Sequence, residues 1–528
     1  MGGGIEVKVL FVYPDINIRG GALSYHYGLG SLSAMLKKAG HETELQYIYG
    51  NYDPRPLISK IEQFKPDIVG ITTVSFQYKY IKRLLKDISH LGVFTICGGP
   101  HISLVPQELE TNEYLNAVCV GEGEFALLEL VNALEKGQDI TAIKNIWVKK
   151  DGKVYSNPCR PFIENLDELP FVDRELFDFQ EIVNSDYDRA EFMASRGCPY
   201  SCTYCSNSGL RKVAEGRYVR FRSMENVIAE INDVVTRYKV KSVYLNDDVF
   251  TINKNYVEQF CEAYKSEIGY PFEINTRVEN LDESILEMLK DAGCYRIAMG
   301  LEQGDEKFRK EVLNRPMSNK KIEDAFILAK KVGIKTKTFN IVGFPFETVA
   351  NHMETVNLNR KIQPNSIVNY IFEPYTGTPL YDICVENNFI EKEKEEEEFV
   401  SRTDTYLKMP QFTRKQILQC YRRFPWRVYR GKSLKRALLF KIYYSKYGES
   451  IIKLMSPLKK QIQKFATNDR KINTVTFLGF FGGLLLAITT ILRTIYFEIF
   501  NKVSVTHFLH ISILRYGHVL NNFSRFVR

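Results

Sequence analysis

Cysteine is scarce in this chain: ten in 528 residues, most of them isolated. That density excludes a disulfide scaffold and suits a reducing compartment. The start, MGGGIEVKVLFVYP, lacks the basic stretch followed by an apolar one that marks a secretory signal. No internal repeat recurs at a fixed period. Acidic residues are nearly missing from the last quarter: 24 of the 71 Lys and Arg but only 4 of the 63 Asp and Glu follow residue 400. The tail therefore carries a net +20 and the preceding body a net −12. Such a tail implies an anionic partner, a membrane surface or nucleic acid.

What is there is ordinary for globular protein: 45% hydrophobic and 25% charged residues. The length exceeds one hydrophobic core and predicts two to four domains. Residues 473–492, NTVTFLGFFGGLLLAITTIL, are free of charge over a length that could cross a bilayer. Gly479 and Gly483 would let helices approach closely there. Asn473, four threonines and three glycines weaken the segment, so a buried helical hairpin stays open as an alternative. The aromatic and arginine-rich stretch 421–448 suits a lipid headgroup layer, and it could also suit RNA.

Residues 5–136 alternate strand and helix signals. VKVLFVYP (7–14), ETELQYIY (42–49), DIVGITTV (67–74), VFTICGG (93–99) and AVCVGEG (117–123) read as five strands. This predicts a doubly wound parallel sheet over 1–140, with ligands at the C-terminal strand ends, where GGPH (98–101) and GEGE (121–124) fall. Residues 141–190, rich in Pro and acidic groups, read as a linker. A second alternating series over 191–400 has six strand candidates, fewer than a full barrel, which predicts either a partial barrel or a second doubly wound sheet. The region 401–528 reads as a basic helical extension, and EKEKEEEE (391–398) before it as a solvated helix face or hinge.

Within SRGCPYSCTYCSNSG, Cys198, Cys202 and Cys205 fall in one short loop directly after a strand. Thiolates at these spacings can converge on a soft metal. Structural zinc takes a fourth Cys or His, and none follows at a paired spacing, so a zinc knuckle would need a distant ligand. An iron–sulfur cluster on three cysteines leaves one iron open to a ligand.

The CxxxCxxC spacing, with Tyr204 before the last cysteine, resembles the cluster loop of radical S-adenosylmethionine enzymes, and residues 5 to about 380 resemble the subgroup with an N-terminal cobalamin domain. The subgroup spans methyltransferases and a porphyrin ester cyclase. The resemblance implies a 4Fe–4S cluster on Cys198, Cys202 and Cys205, with S-adenosylmethionine on the open iron and Tyr204 near its adenine. It places Asp247 and Asp248 as candidates for the methionine amino group and Arg277 in the third-strand motif. Glu302 becomes a ribose contact, and Gly343 and Pro345 of GFPFET shape the adenine and methionine site. On the cobalamin side, Gly98, Gly99 and Glu122 fall near the corrin or its nucleotide tail.

One departure stands out. Asp15-x-Asn17-x-x-Gly20 keeps the spacing of a cobalamin motif but has Asn where that motif has a cobalt-ligating His. A neutral amide is the poorer ligand, so cobalamin without a protein imidazole is expected; His26 nearby reads as a surface-loop residue that could compensate. The implied reaction is reductive cleavage of S-adenosylmethionine to a 5′-deoxyadenosyl radical, with methyl transfer from cobalamin to an unactivated carbon of a small or lipid-like substrate. The implied partner is a one-electron reductant such as flavodoxin or ferredoxin. Alternatives are oxidative cyclisation or rearrangement without methyl transfer and, from another class, a cobalamin sensor or carrier, which would have no use for the three cysteines. A methylthiotransferase acting on RNA would need a second N-terminal cluster, and only Cys97 and Cys119 precede residue 150, so nucleic acid is disfavoured as a partner. The expected location is the cytoplasm, at or near the inner face of the membrane.

Overall fold

A computed structural model describes residues 6–17, 23–391 and 400–443. The N-terminal sheet holds seven strands: β1 (Lys8–Ile16), β2 (Glu42–Gly50), β3 (Ile68–Thr72), β4 (Phe94–Gly98), β5 (Ala117–Cys119), β6 (Ile146–Lys150) and β7 (Lys153–Tyr155). Their order is β2-β1-β3-β4-β5-β6-β7. The first five are parallel and doubly wound about β1, with helices on both faces. The β3 run IVGIT is buried throughout, as a strand covered on both faces must be.

The expected linker is corrected at its start. Residues 146–155 form an antiparallel hairpin, β6–β7, that extends the first sheet. Asp151 and Gly152 both take positive φ at its tip, and Asp-Gly is a strong short-range hairpin signal.

The second sheet is β8 (Arg189–Phe192), β11 (Ser242–Leu245), β12 (Phe272–Thr276), β13 (Cys294–Glu302), β14 (Lys335–Val342) and β15 (Ser366–Ile371). All neighbours are parallel and follow chain order without reversal. A sheet wound in one direction has no switch point, so the partial barrel holds and the second doubly wound sheet does not. A small antiparallel ribbon, β9 (Ser195–Arg196) with β10 (Arg220–Phe221), crosses the mouth. Along β14 the burial alternates: Thr336, Thr338, Asn340 and Val342 are buried toward the helices, and Lys337, Phe339 and Ile341 face the concave side.

The main compact unit runs to Lys432, not to residue 400. The helix Arg414–Tyr429 packs on the barrel, burying Ile417, Phe424 and Tyr429 against β15 and the helix Val349–Ile362. Its aromatics are therefore core as well as the headgroup-like pattern they resemble. The residues from Ser433 onward form a second unit, described only through the helix Leu434–Tyr443. The segment 473–492 and most of the acidic run 391–398 lie outside the described residues. Among the described residues, no helix is long and apolar enough to cross a membrane.

Sheet and barrel are joined by buried charge. Glu230, on the barrel helix Met224–Arg237, accepts from Arg174 Nη1 at 2.5 Å and pairs with Arg222. Tyr27, opening the first helix of the N-terminal sheet, donates to the same carboxylate at 3.4 Å. Removing one partner of such a buried set costs roughly 3–5 kcal/mol, because a bare charge is left behind.

Candidate functional site

The three cysteines leave the end of β9 on one loop. Gly197, just before Cys198, has φ +86°, and a Cβ there would stand 2.2 Å from the Tyr218 carbonyl oxygen. Only glycine fits this turn. The loop is pinned from outside: Thr203 donates from its amide to Leu313 O and from its hydroxyl to Val312 O, at 3.2 and 2.7 Å. Arg211 Nη2 donates to Tyr200 O at 2.7 Å.

Cys198 and Cys202 are buried and Cys205 is half-buried; all are free thiols. Burial pushes the Cys205 thiol up to about 11 and raises Cys198. Thiols so placed ionise when a metal supplies the positive charge. Among the described residues no His, Cys, Asp and Glu trio is spaced to hold a single ion. A cubane cluster asks for something else, since each thiolate binds a different iron. The donor set, three soft ligands and no fourth, fits the 4Fe–4S cluster. Two arginines reach the same sulfur: Arg277 Nη1 and Arg315 Nη1 stand 3.3 and 3.4 Å from Cys202 Sγ. Donors to a cluster sulfur withdraw negative charge from it and tune its potential.

The paired aspartates part company. Asp247 is fully buried and turned back: its carboxylate accepts from Ala194 N at 3.1 Å and from the Ser195 hydroxyl, and burial lifts it to about 6. It braces the strand leading into the cysteine loop and does not face a ligand. Asp248 is exposed beside the loop, accepting from Asn207 Nδ2 at 3.2 Å. Of the two, Asp248 can take an ammonium group.

Tyr204 packs on Phe344, ring centroids 5.6 Å apart, joining the cysteine loop to the GFPFET turn. Glu302 is buried at φ +64°, at the end of β13, with Arg315 as its nearest compensating charge. Gly343 takes φ +93° and Pro345 is buried beside it. Their turn is held by a residue that the sequence reading quoted but did not single out. Glu347 accepts from Gly343 N and Phe344 N at 2.6 and 3.0 Å, and from Gln303 Nε2 at 2.7 Å. Burial raises its carboxyl to about 8. Arg315 was also missed; nothing in NRPMS marks it, because its role depends on chain returning from beyond β13.

A cavity of about 310 Å³ opens at the C-terminal ends of β1, β3, β4 and β5. Phe11, Leu29, Leu32, Gly70, Ile96 and Leu127 make it largely apolar, and Gly98, Gly99 and Glu122 stand on its rim. A Cβ on Gly99, at φ +96°, would lie 2.8 Å from Thr73 O. A flat apolar group such as a nucleotide base fits a cradle that side chains would fill, so the residues present fit cobalamin. Glu122 is spoken for: it accepts from Arg196 Nη1 at 2.9 Å, Arg220 Nη1 at 2.8 Å and Ile163 N at 2.7 Å.

His26 corrects an expectation. It is not a surface-loop residue but caps the helix Tyr27–Lys38: Nδ1 accepts from Leu29 N at 3.1 Å, and Nε2 meets Thr72 Oγ1 at 3.2 Å. With Nδ1 accepting, Nε2 carries the proton, and burial lowers the ring to about 4. Asn17 does not line the cavity. At φ +51°, it donates from Nδ2 to the Tyr80 hydroxyl at 2.8 Å.

A doubly wound sheet presenting a glycine-lined cavity to a partial barrel with a three-cysteine loop defines a two-cofactor radical enzyme. Family models agree: the Radical SAM superfamily matches residues 193–358 and the B12 binding domain residues 16–131. The chain belongs to the radical S-adenosylmethionine enzymes that carry a B12 binding domain. An uncharacterized methyltransferase of Pyrococcus horikoshii is 29% identical, over 84% of this chain and 96% of that one. The anaerobic magnesium-protoporphyrin IX monomethyl ester cyclase of Rubrivivax gelatinosus is 27% identical, over 72% of this chain and 70% of its own length. The fold is also that of the radical S-adenosylmethionine methyltransferase TsrM from Kitasatospora setae, solved with cobalamin and a 4Fe–4S cluster: TM-score 0.59 and 16% identity, over 72% of this chain and 75% of that one.

Proposed function

We propose that this protein is a cobalamin-dependent radical S-adenosylmethionine methyltransferase acting on an unactivated carbon. The observation that carries the reading is Arg196. It lines the glycine-rich cavity, pairs with Glu122 and Glu124 of GEGE, and stands two residues before Cys198. One side chain thus ties the cobalamin cavity to the cluster loop.

When bound, the cluster and cobalamin supply electron transfer to S-adenosylmethionine and a transferable methyl group; the chain supplies placement. Cys198, Cys202 and Cys205 would hold the cluster, with Arg277 and Arg315 against one thiolate. Asp248 accepts hydrogen bonds from the cosubstrate's ammonium group. Tyr204 and the Gly343–Pro345 turn bracket its adenine, and Glu302 faces its ribose. Phe339 and Ile341 give the concave side of β14 an apolar lining that suits hydrocarbon and excludes water. That lining favours a lipid-like substrate, and the basic tail favours a membrane surface as the place where it is met. Flotation with anionic liposomes checks the second point: recovery unchanged by deleting residues 433–528 would refute it. A one-electron protein reductant completes the set.

Anaerobic reconstitution with iron, sulfide and cobalamin, followed by labelled S-adenosylmethionine, a reductant and lipid extract, tests the reaction. The expected products are 5′-deoxyadenosine and a lipid heavier by one methyl. Release of 5′-deoxyadenosine with ring closure or rearrangement and no methyl gain would favour the cyclase reading instead.

A further inference from the structure

At the barrel mouth, Arg402 forms no ion pair with a carboxylate among the described residues. Arg402 follows the acidic run, and its backbone returns to the site. Its carbonyl accepts from Ile371 N, the last residue of β15, at 2.9 Å, and the neighbouring Ser401 N donates to Asn17 O at 2.9 Å. The segment therefore bridges the end of β1 in the cobalamin domain and the end of β15 in the barrel. Arg402 sits at φ +58°, a left-handed conformation that a non-glycine residue adopts at some cost. Asn17, Glu302 and Phe346 share that rare conformation around the same mouth.

The guanidinium is aimed inward. Its carbon lies 5.3 Å from the Tyr370 ring centroid. Asn369 and Ile371 are buried on the opposite face of β15, so alternation puts Tyr370 on the concave side. Arg402 Nε and Nη2 both donate to the Tyr375 hydroxyl, at 3.0 and 2.6 Å. Glu302 and Glu373 feel its charge, yet neither forms an ion pair with it. The residue nonetheless stays exposed. A guanidinium anchored on one edge by a phenol presents its remaining N–H groups as a fork, the geometry that grips an oxyanion with two parallel hydrogen bonds.

We infer that Arg402 is a substrate-binding residue, and that the substrate carries an anionic oxygen group, phosphate or carboxylate, which Arg402 holds at the mouth while the apolar part lies along Phe339 and Ile341. This deepens the proposed function and rests on it.

The test uses the full chain loaded with cluster and cobalamin, and calorimetric titration with inorganic diphosphate and, separately, acetate. One probe should bind the wild type roughly tenfold or more tightly than it binds Arg402→Gln, with Arg402→Lys between, since Lys keeps the charge but loses the fork. Preference for diphosphate identifies a phosphorylated substrate; preference for acetate identifies a carboxylate. Tyr375→Phe, which removes only the anchor, should weaken the same probe by a smaller factor, and it serves if Arg402→Gln does not fold. Equal binding of both probes by wild type and variants, or binding of neither by the wild type, overturns the inference. So does a tenfold loss of S-adenosylmethionine affinity in Arg402→Gln, which would assign the arginine to the cosubstrate's carboxylate. Failure of the wild type to release 5′-deoxyadenosine, by contrast, would count against the proposed function and leave the anion titration standing.

Discussion

The two cofactor sites are built by opposite means. The cavity of the N-terminal sheet is made by omission: Gly70, Gly99 and Gly123 leave room where a side chain would crowd its neighbours. The cysteine loop is made by provision: three thiols, two arginines and an exposed aspartate are held by chain arriving from distant strands. A site made by omission is lost by adding atoms, and one made by provision is lost by removing them.

Substitutions can break that comparison. The largest effect is expected for Cys202→Ala, which removes one of the three thiols proposed to hold the cluster. Iron content should fall and 5′-deoxyadenosine release should vanish, while cobalamin binding, read by absorbance, stays near wild type. Next is Gly99→Leu. Strain at φ +96° and collision with Thr73 should cost cobalamin affinity by roughly a hundredfold or more, from a clash of a few kcal/mol. Iron content should hold. If either variant loses both cofactors, the sites are not separable as described.

The aspartates sharpen the same contrast within one loop. Asp248→Asn should weaken S-adenosylmethionine binding about tenfold or more, the worth of one hydrogen bond to a charged group, with little change in thermal stability. Asp247→Ala should do the reverse, losing roughly 1–3 kcal/mol of stability by orphaning Ala194 N and the Ser195 hydroxyl. Calorimetry with and without ligand separates the two.

A further contrast is a pH dependence. Glu347 is raised from 4.5 to about 8, so the folded state binds the proton more tightly than the unfolded chain. Its contribution is fully present below about 4.5 and is lost as pH rises through 8. Glu347→Gln, which cannot ionise, should flatten this slope in denaturant unfolding measured across that window.

Much of the fold was legible from strand patterning: the β3 run IVGIT is apolar and buried throughout, as a strand covered on both faces must be, and β1 to β5 overlap the five stretches read as strands. The β6–β7 hairpin was hidden in a polar stretch, although KKDGK marks its turn. At the site, the cysteines and Tyr204 were readable because one loop carries them. Arg315 and Arg402 were not, since each acts on residues far away in the chain; Glu347 was not either, although its bonds to Gly343 N and Phe344 N are local, because its burial depends on packing around the turn. Asp247 and Asp248 are chemically identical in sequence, and only the structure tells the buried brace from the exposed carboxylate.

By itself the sequence determined the two alternating segments, the three-cysteine loop and hence the cofactor chemistry, because strand period and ligand spacing are local. Tertiary structure decided that GEGE spends its carboxylates on Arg196 and Arg220, that His26 caps a helix, and that an arginine from beyond the barrel faces the site. Such assignments depend on which groups meet in space, and meeting in space is settled by packing of whole layers.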